Sequence, residues 1–297
     1  MRQLIVLGLV GFAAQLVDGS LGMGYGVTTT TLLLLAGMTP AAASASVHLS
    51  ELGTNLASGF SHWRLQNVDW RVVGRIAIPG AIGAFLGATV LSALSTEAAA
   101  PIMAGLLALL GIYILIRFIL GIKPVIKKAI TIKFLAPLGL VAGFVDATGG
   151  GGWGPVATPA LLADGRLEPR KVIGTVDTSE FAVSAAASIG FFIGLGAAGI
   201  NWGVVLALLI GGLIAAPLAA ILVRYAPAHL LGVAVGGVIL LTNSRTLLKA
   251  ADVETPARFA VYGAILLITI VGLSIASQRV RRRKAEQPTQ VEASAEV

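Results

Sequence analysis

Four acids stand in a chain otherwise poor in charge, and they come as two matched pairs, Asp18 with Asp146 and Glu51 with Glu180. In apolar surroundings a carboxylate can cap free backbone N–H groups, carry a proton, or meet a cation directly. Asp18 and Asp146 each precede a run of small residues, "GSLGMGYG" (19–26) and "ATGGGGWG" (147–154). Backbone that breaks in such a run exposes N–H groups at the start of the next helix, at the positive end of its dipole, where an anion is favoured. Half-helix starts are therefore expected near Val27 and Pro155. The candidate anion-binding residues are Ser20, Gly22, Gly24, Tyr25, Gly26 and Thr28 in one run, with Thr148, Gly149, Gly150, Gly151, Gly152, Trp153 and Gly154 in the other. An ionised aspartate pointing into the same space would repel an anion, which favours a capping role for Asp18 and Asp146 over ligand or proton handling. Close helix packing is the simpler account of a single glycine run. It accounts less well for two aligned runs, each preceded by an acid and each carrying an aromatic residue.

Glu51 and Glu180 lie deeper in apolar sequence. His48 precedes the first by three positions and Asp177 precedes the second by three, so each pair shares a helix face. With Ser50, Asn55, Ser179 and Ser184 they form a polar stripe on each helix. An acid inside a membrane is costly and normally faces a cavity or a partner, which makes Glu51 and Glu180 candidates for proton coupling. The competing reading is a neutral, hydrogen-bonded Glu that locks helices together. A His–Asp–Ser set is formally present, but its members fall on different segments with no nucleophile elbow, so no enzyme activity is expected. His62 and His229 sit at helix ends and there are no cysteines, so neither a metal site nor a cofactor is expected.

The elements that must hold these residues are membrane helices. Hydrophobic residues make up 56% of the 297 and charged residues only 12%, against about 25% charged in soluble domains. Apolar runs of helix-spanning length recur throughout, and the alternating ten-residue pattern of a membrane barrel is missing. The net charge of +7 comes from basic residues scattered between apolar runs; this fits anchoring at the membrane surface and gives no nucleic-acid patch. The first apolar segment lacks a cleavage signature and reads as a retained helix. Broken segments are expected at 3–37 and 133–163, with spans near 41–61, 72–94, 100–121, 172–197, 203–224, 229–248 and 258–277, then a disordered polar tail from Gln278.

The order of these elements repeats. "LVDGSLGMGYG" (16–26) lies over "FVDATGGGGWG" (144–154), "VHLSELGTN" (47–55) over "VDTSEFAVS" (176–184), and "DWRVV" (69–73) over "NWGVV" (201–205). If each broken segment is a hairpin returning to its own face, Arg2, Arg245, Lys249 and Arg258 fall on one side and the other 17 of the 21 basic residues on the opposite side. Single crossings would split them 12 to 9, so hairpins satisfy the positive-inside rule better. The expected fold is an all-α polytopic membrane protein. It comprises an inverted repeat of two helical units, 1–121 and 122–250, each with a glycine-broken re-entrant hairpin. An extra helix at 251–277 and a cytoplasmic tail at 278–297 complete the chain. Inverted repeats with discontinuous helices are the architecture of secondary transporters.

Four stretches, "GFAAQLVDGSLGMGYG" (11–26), "HLSELGTN" (48–55), "AGFVDATGGGGWGPVATPALL" (142–162) and "VIGTVDTSEFAVS" (172–184), resemble the TauE/SafE family of bacterial sulfite exporters in order and spacing. The resemblance covers nearly all the chain except the tail. It implies a multi-pass transporter of the bacterial inner membrane for a small sulfur-containing anion such as sulfite, sulfoacetate or thiosulfate, coupled to protons. The first block departs from the second in lacking four consecutive glycines, which implies two unequal half-sites. Expected partners are the anion and the lipid bilayer; glycine-rich helix faces would also permit a homodimer.

Overall fold

The computed structural model describes residues 2–121, 131–164, 167, 169–222 and 228–295. Among these, eleven α-helices and one short 3-10 turn are present and no strand is. The first half holds α1 (Arg2–Leu21), α2 (Tyr25–Leu35), α3 (Pro40–Arg64), α4 (Trp70–Ala93) and α5 (Thr96–Leu120). The second holds α6 (Ile132–Gly149), α7 (Trp153–Asp164), α8 (Pro169–Leu195), α9 (Trp202–Leu222) and α10 (Ala228–Ala250), and α11 (Thr255–Ala295) follows. The basic residues Lys123, Lys127, Lys128, Arg166 and Arg224, used above to orient the chain, lie outside the described residues.

Local sequence explains most boundaries. Thr39 caps α3, with Pro40 at the first helical position, where its missing N–H costs nothing. Asp69 accepts from the Arg71 and Val72 amides at the start of α4, at 3.0 and 3.2 Å. Ser95 caps α5, and Gly121 ends it in the left-handed region. From Gln278, where a disordered tail was expected, α11 runs on to Ala295; the Ala, Glu, Gln and Arg residues there are good helix formers.

Among the described residues, six helices are long and apolar enough to cross a membrane: Trp70–Ala93, Thr96–Leu120, Ile132–Gly149, Arg170–Leu195, Trp202–Ala219 and Thr255–Arg279. The chain is a multi-pass membrane protein, and its burial pattern suits that solvent. Large apolar side chains such as Leu9, Ile78, Leu109, Ile193 and Phe259 are exposed, while Ser44, His48, Ser50, Glu51 and Asn55 on α3 are buried. The polar stripe of α3 thus faces inward, where protein groups can satisfy it and lipid cannot.

The two halves pack on each other reciprocally. Counting elements within each half, the first helix of one half lies against the fourth of the other, as α1 with α9 and α6 with α4. The third likewise meets the opposite fourth, as α3 with α9 and α8 with α4, while α3 meets α8 and α5 meets α10. The α4–α6 contact is close enough that a Cβ on Gly139 would come within 2.6 Å of the Ile76 carbonyl oxygen. Both helix breaks, α1–α2 and α6–α7, are buried, and their residues bond to the long helices α3 and α8.

Candidate functional site at the paired helix breaks

Each break is a short turn closed by its own aspartate. The Gly22 amide donates to the Asp18 carbonyl at 2.6 Å, and the Gly151 amide to the Asp146 carbonyl at 2.9 Å. Gly22 and Gly150 take matching left-handed conformations, φ 66° and 68°, which glycine adopts at least cost. The side chains then cap the next helix. Asp18 Oδ1 accepts from the Tyr25 amide at 3.2 Å, and Asp146 Oδ1 from those of Gly152 and Trp153 at 2.6 and 3.0 Å. A carboxylate thus sits at the start of both α2 and α7, the position favoured by the free N–H groups and the helix dipole.

The breaks also brace each other. Thr158 Oγ1 donates to the Gly22 carbonyl at 2.5 Å, and Thr30 Oγ1 donates to the Gly150 carbonyl. Both donors and both acceptors are related by the same 128-residue offset. Between them the backbones touch: a Cβ on Gly26 would lie 2.6 Å from Gly151 Cα, and one on Gly154 would lie 2.8 Å from Met23 Cα. The glycines are needed where one break seats on the other. Each aromatic residue anchors its half-helix to the long helix of its own half. Tyr25 bonds Ser50 through its hydroxyl at 3.0 Å, and the Trp153 indole donates to the Val176 carbonyl at 3.1 Å.

Two polar clusters flank this contact, each joining the aspartate of one half to the stripe of the other. In the first, His48 Nε2 lies 3.0 Å from Asp146 Oδ2, with both side chains fully buried. His48 Nδ1 lies 2.8 Å from the Ser44 carbonyl, which can only accept, so Nδ1 carries a hydrogen. The bond from Nε2 to Asp146 then needs one proton, held either by an imidazolium facing a carboxylate or by a carboxylic acid facing a neutral imidazole. Glu51 Oε2 accepts from Ser184 at 3.0 Å, and its Oε1 faces Gly26, lying 3.2 Å from where a Cβ there would be. In the second cluster one carboxylate oxygen from each of Asp18, Asp177 and Glu180 lies within 4.8 Å of the other two.

The candidate residues therefore divide. Asp18, Asp146, Gly22, Gly26, Gly150, Gly151 and Gly154 build the joint, and His48, Glu51, Asp177 and Glu180 converge beside it. Among the described residues neither the buried Thr28 hydroxyl nor the Asn55 side-chain amide nitrogen has a hydrogen-bond partner. Thr148 instead donates to Phe144 and Ser179 to Val176, each within its own helix. Gly149 is the last residue of α6, where an added Cβ would meet only Leu106 in ordinary contact at 3.7 Å. Nothing is described of the Ser20 side chain. The Tyr25, Gly152 and Trp153 amides, expected to face an anion, donate to the aspartate side chains in this structure. Sequence reasoning missed Thr30, Thr158 and Ser44. The shared 128-residue offset is the signal that could have found the two threonines. An apolar cavity of about 370 Å³ opens between α3, α4 and α8, lined by Phe60, Trp63, Trp70 and Phe181 among others. It does not reach the breaks.

Comparison with known proteins gives a consistent result. A model of the family "Sulfite exporter TauE/SafE" matches residues 7–246. The chain is 50% identical over 286 residues, 95% of each chain, to the Bacillus subtilis (strain 168) protein called "Probable membrane transporter protein YtnM". It is 27% identical over 187 residues, 62% of this chain and 76% of the other, to "Probable membrane transporter protein YdhB" of the same strain. A "Probable membrane transporter protein" of Haemophilus influenzae (strain ATCC 51907 / DSM 11121 / KW20 / Rd) is 27% identical over 159 residues, 54% of this chain and 62% of that one. No solved structure matches.

Proposed function

Because the chain belongs to the TauE/SafE sulfite exporter family, we propose that it is a secondary carrier moving a small sulfur-containing anion, such as sulfite, thiosulfate or an organosulfonate, across the bacterial inner membrane together with protons. The observation that carries the coupling is the His48–Asp146 pair, one proton shared between a histidine and the carboxylate that caps α7.

That carboxylate and the substrate anion want the same N–H groups. While Asp146 is ionised its charge-assisted bonds hold the Gly152 and Trp153 amides. With the proton moved from His48 onto Asp146, the carboxyl becomes a weaker acceptor and the helix start is open to another anion. Proton transfer and anion binding are then the two sides of one exchange. The Thr28 hydroxyl supplies a further donor, and Glu51 and Glu180 pass protons to and from this centre. Glycine backbone and hydroxyls supply no full positive charge, so the anion is held loosely enough to leave on the far side.

The reciprocal packing of the two halves supports an inverted repeat with re-entrant hairpins at α1–α2 and α6–α7, rocking about the joint to face each side in turn. The excess of basic residues on one predicted face supports a cytoplasmic C-terminus. The test is uptake of labelled sulfite and thiosulfate into proteoliposomes. Saturable flux of either anion supports the reading; cation flux indifferent to both anions overturns it.

A further inference from the structure

The two polar clusters occupy equivalent places in the two halves but differ in chemistry. Asp146, His48 and Glu51 in one correspond by repeat position to Asp18, Asp177 and Glu180 in the other. The first cluster contains a group able to carry positive charge, since His48 can hold a proton against Asp146 at 3.0 Å. In the second the matching position is Asp177, a third acid. Asp18 and Asp177 are 5% and 3% exposed. Among the described residues neither Asp177 carboxylate oxygen has a hydrogen bond of good geometry, the Ser58 hydroxyl being the donor that lies nearby, and the buried His62 Nε2, 4.0 Å from Asp177 Oδ2, is unpartnered too. Of the three acids, Asp18 has one backbone donor, from Tyr25. Three converging carboxylates with so few donors must have their charge neutralised, by protons or by a bound cation.

We propose that Asp18, Asp177 and Glu180 form a binding site for a hard, oxygen-ligated metal cation of the sodium or calcium type. The spacing fits: oxygens on opposite sides of an ion bound at about 2.3–2.6 Å lie about 4.6–5.2 Å apart, and one oxygen from each of these acids lies within 4.8 Å of the other two. Carboxylates suit hard cations and leave softer thiophilic metals without a ligand. Glu180 is the one member of the three that is partly exposed. Because Asp18 caps α2, the ion would steady that half-helix start as His48 steadies Asp146 at α7. The ion's role in transport rests on the carrier reading, but its binding does not; a bound ion holds Glu180 deprotonated, so Glu180 carries a proton only while the ion is absent.

Thermal unfolding of the full-length purified protein, with no sulfur anion present, tests this in sodium chloride, calcium chloride and choline chloride at equal ionic strength. One metal ion is expected to raise the midpoint saturably, by about 2–4 °C or more, and the choline arm is not. The rise is expected to vanish in Asp177→Asn. In Asp177→His, which installs a histidine where the other cluster has one, it is expected to vanish with a midpoint in choline at or above that of the wild type. Equal midpoints in all three salts for the wild type, or an undiminished rise in both variants, would overturn the proposal. Anion flux is measured separately, so losing one result leaves the other standing.

Discussion

His48 and Asp146 are 98 residues apart in sequence and belong to opposite halves, yet their side chains meet at 3.0 Å with no exposure of either. This pair ties the polar stripe of α3 to the start of α7. A charge change on α3 is therefore felt at once by the backbone amides of the second break. Asp18 makes the corresponding cap in the other half with one amide instead of two.

The threonine braces give a symmetric prediction. Thr30→Val and Thr158→Val each remove one hydroxyl and leave a buried glycine carbonyl short of its donor, at about 1–3 kcal/mol. Both residues are fully buried, so neither loss is made good by water. Thermal unfolding should show two losses of similar size. A large loss in one variant with none in the other would contradict reciprocal bracing.

The four-glycine run should tolerate substitution at one end and not in its middle. Gly149→Ala adds a methyl in ordinary contact with Leu106 and gains helix propensity, so stability should change by less than about 1 kcal/mol. Gly151→Ala drives a Cβ into the Gly26 and Val27 backbone at φ 146° and should cost more than about 3 kcal/mol or prevent folding. Yield and unfolding midpoint of the two variants check this directly.

Topology can be read by labelling, since the chain has no cysteine of its own. Leu65→Cys follows α3 and Ala251→Cys follows α10, both at exposed positions. The inverted arrangement predicts that a membrane-impermeant maleimide labels Ala251→Cys in intact cells and Leu65→Cys only after the membrane is opened. Labelling of both from the same side would rule out the proposed arrangement.

Much of the helix order was legible in the sequence, because spans separated by caps and glycine runs leave a strong apolar pattern and the duplicated motifs fix the alignment. The aspartates were legible as caps for the same reason that caps are elsewhere: an acid just before a break. The glycine run was legible as a break but not as a seat for the other break, since a close backbone contact leaves no mark on composition. Thr30 and Thr158 were hidden because a threonine in an apolar helix looks the same whether it bonds its own turn or a neighbour. The crossing of each aspartate to the opposite stripe was hidden too, because the repeat aligns Asp18 with Asp146 without saying which stripe either one faces.

The most direct test of the account is proton movement driven by a sulfite gradient in proteoliposomes, comparing the wild type with Asp146→Asn at matched unfolding midpoint. The account predicts sulfite flux with a matching pH change in the wild type and loss of the coupled proton in Asp146→Asn, whose amide cannot take part in the exchange with His48. Sulfite flux with an undiminished pH change in Asp146→Asn would contradict it.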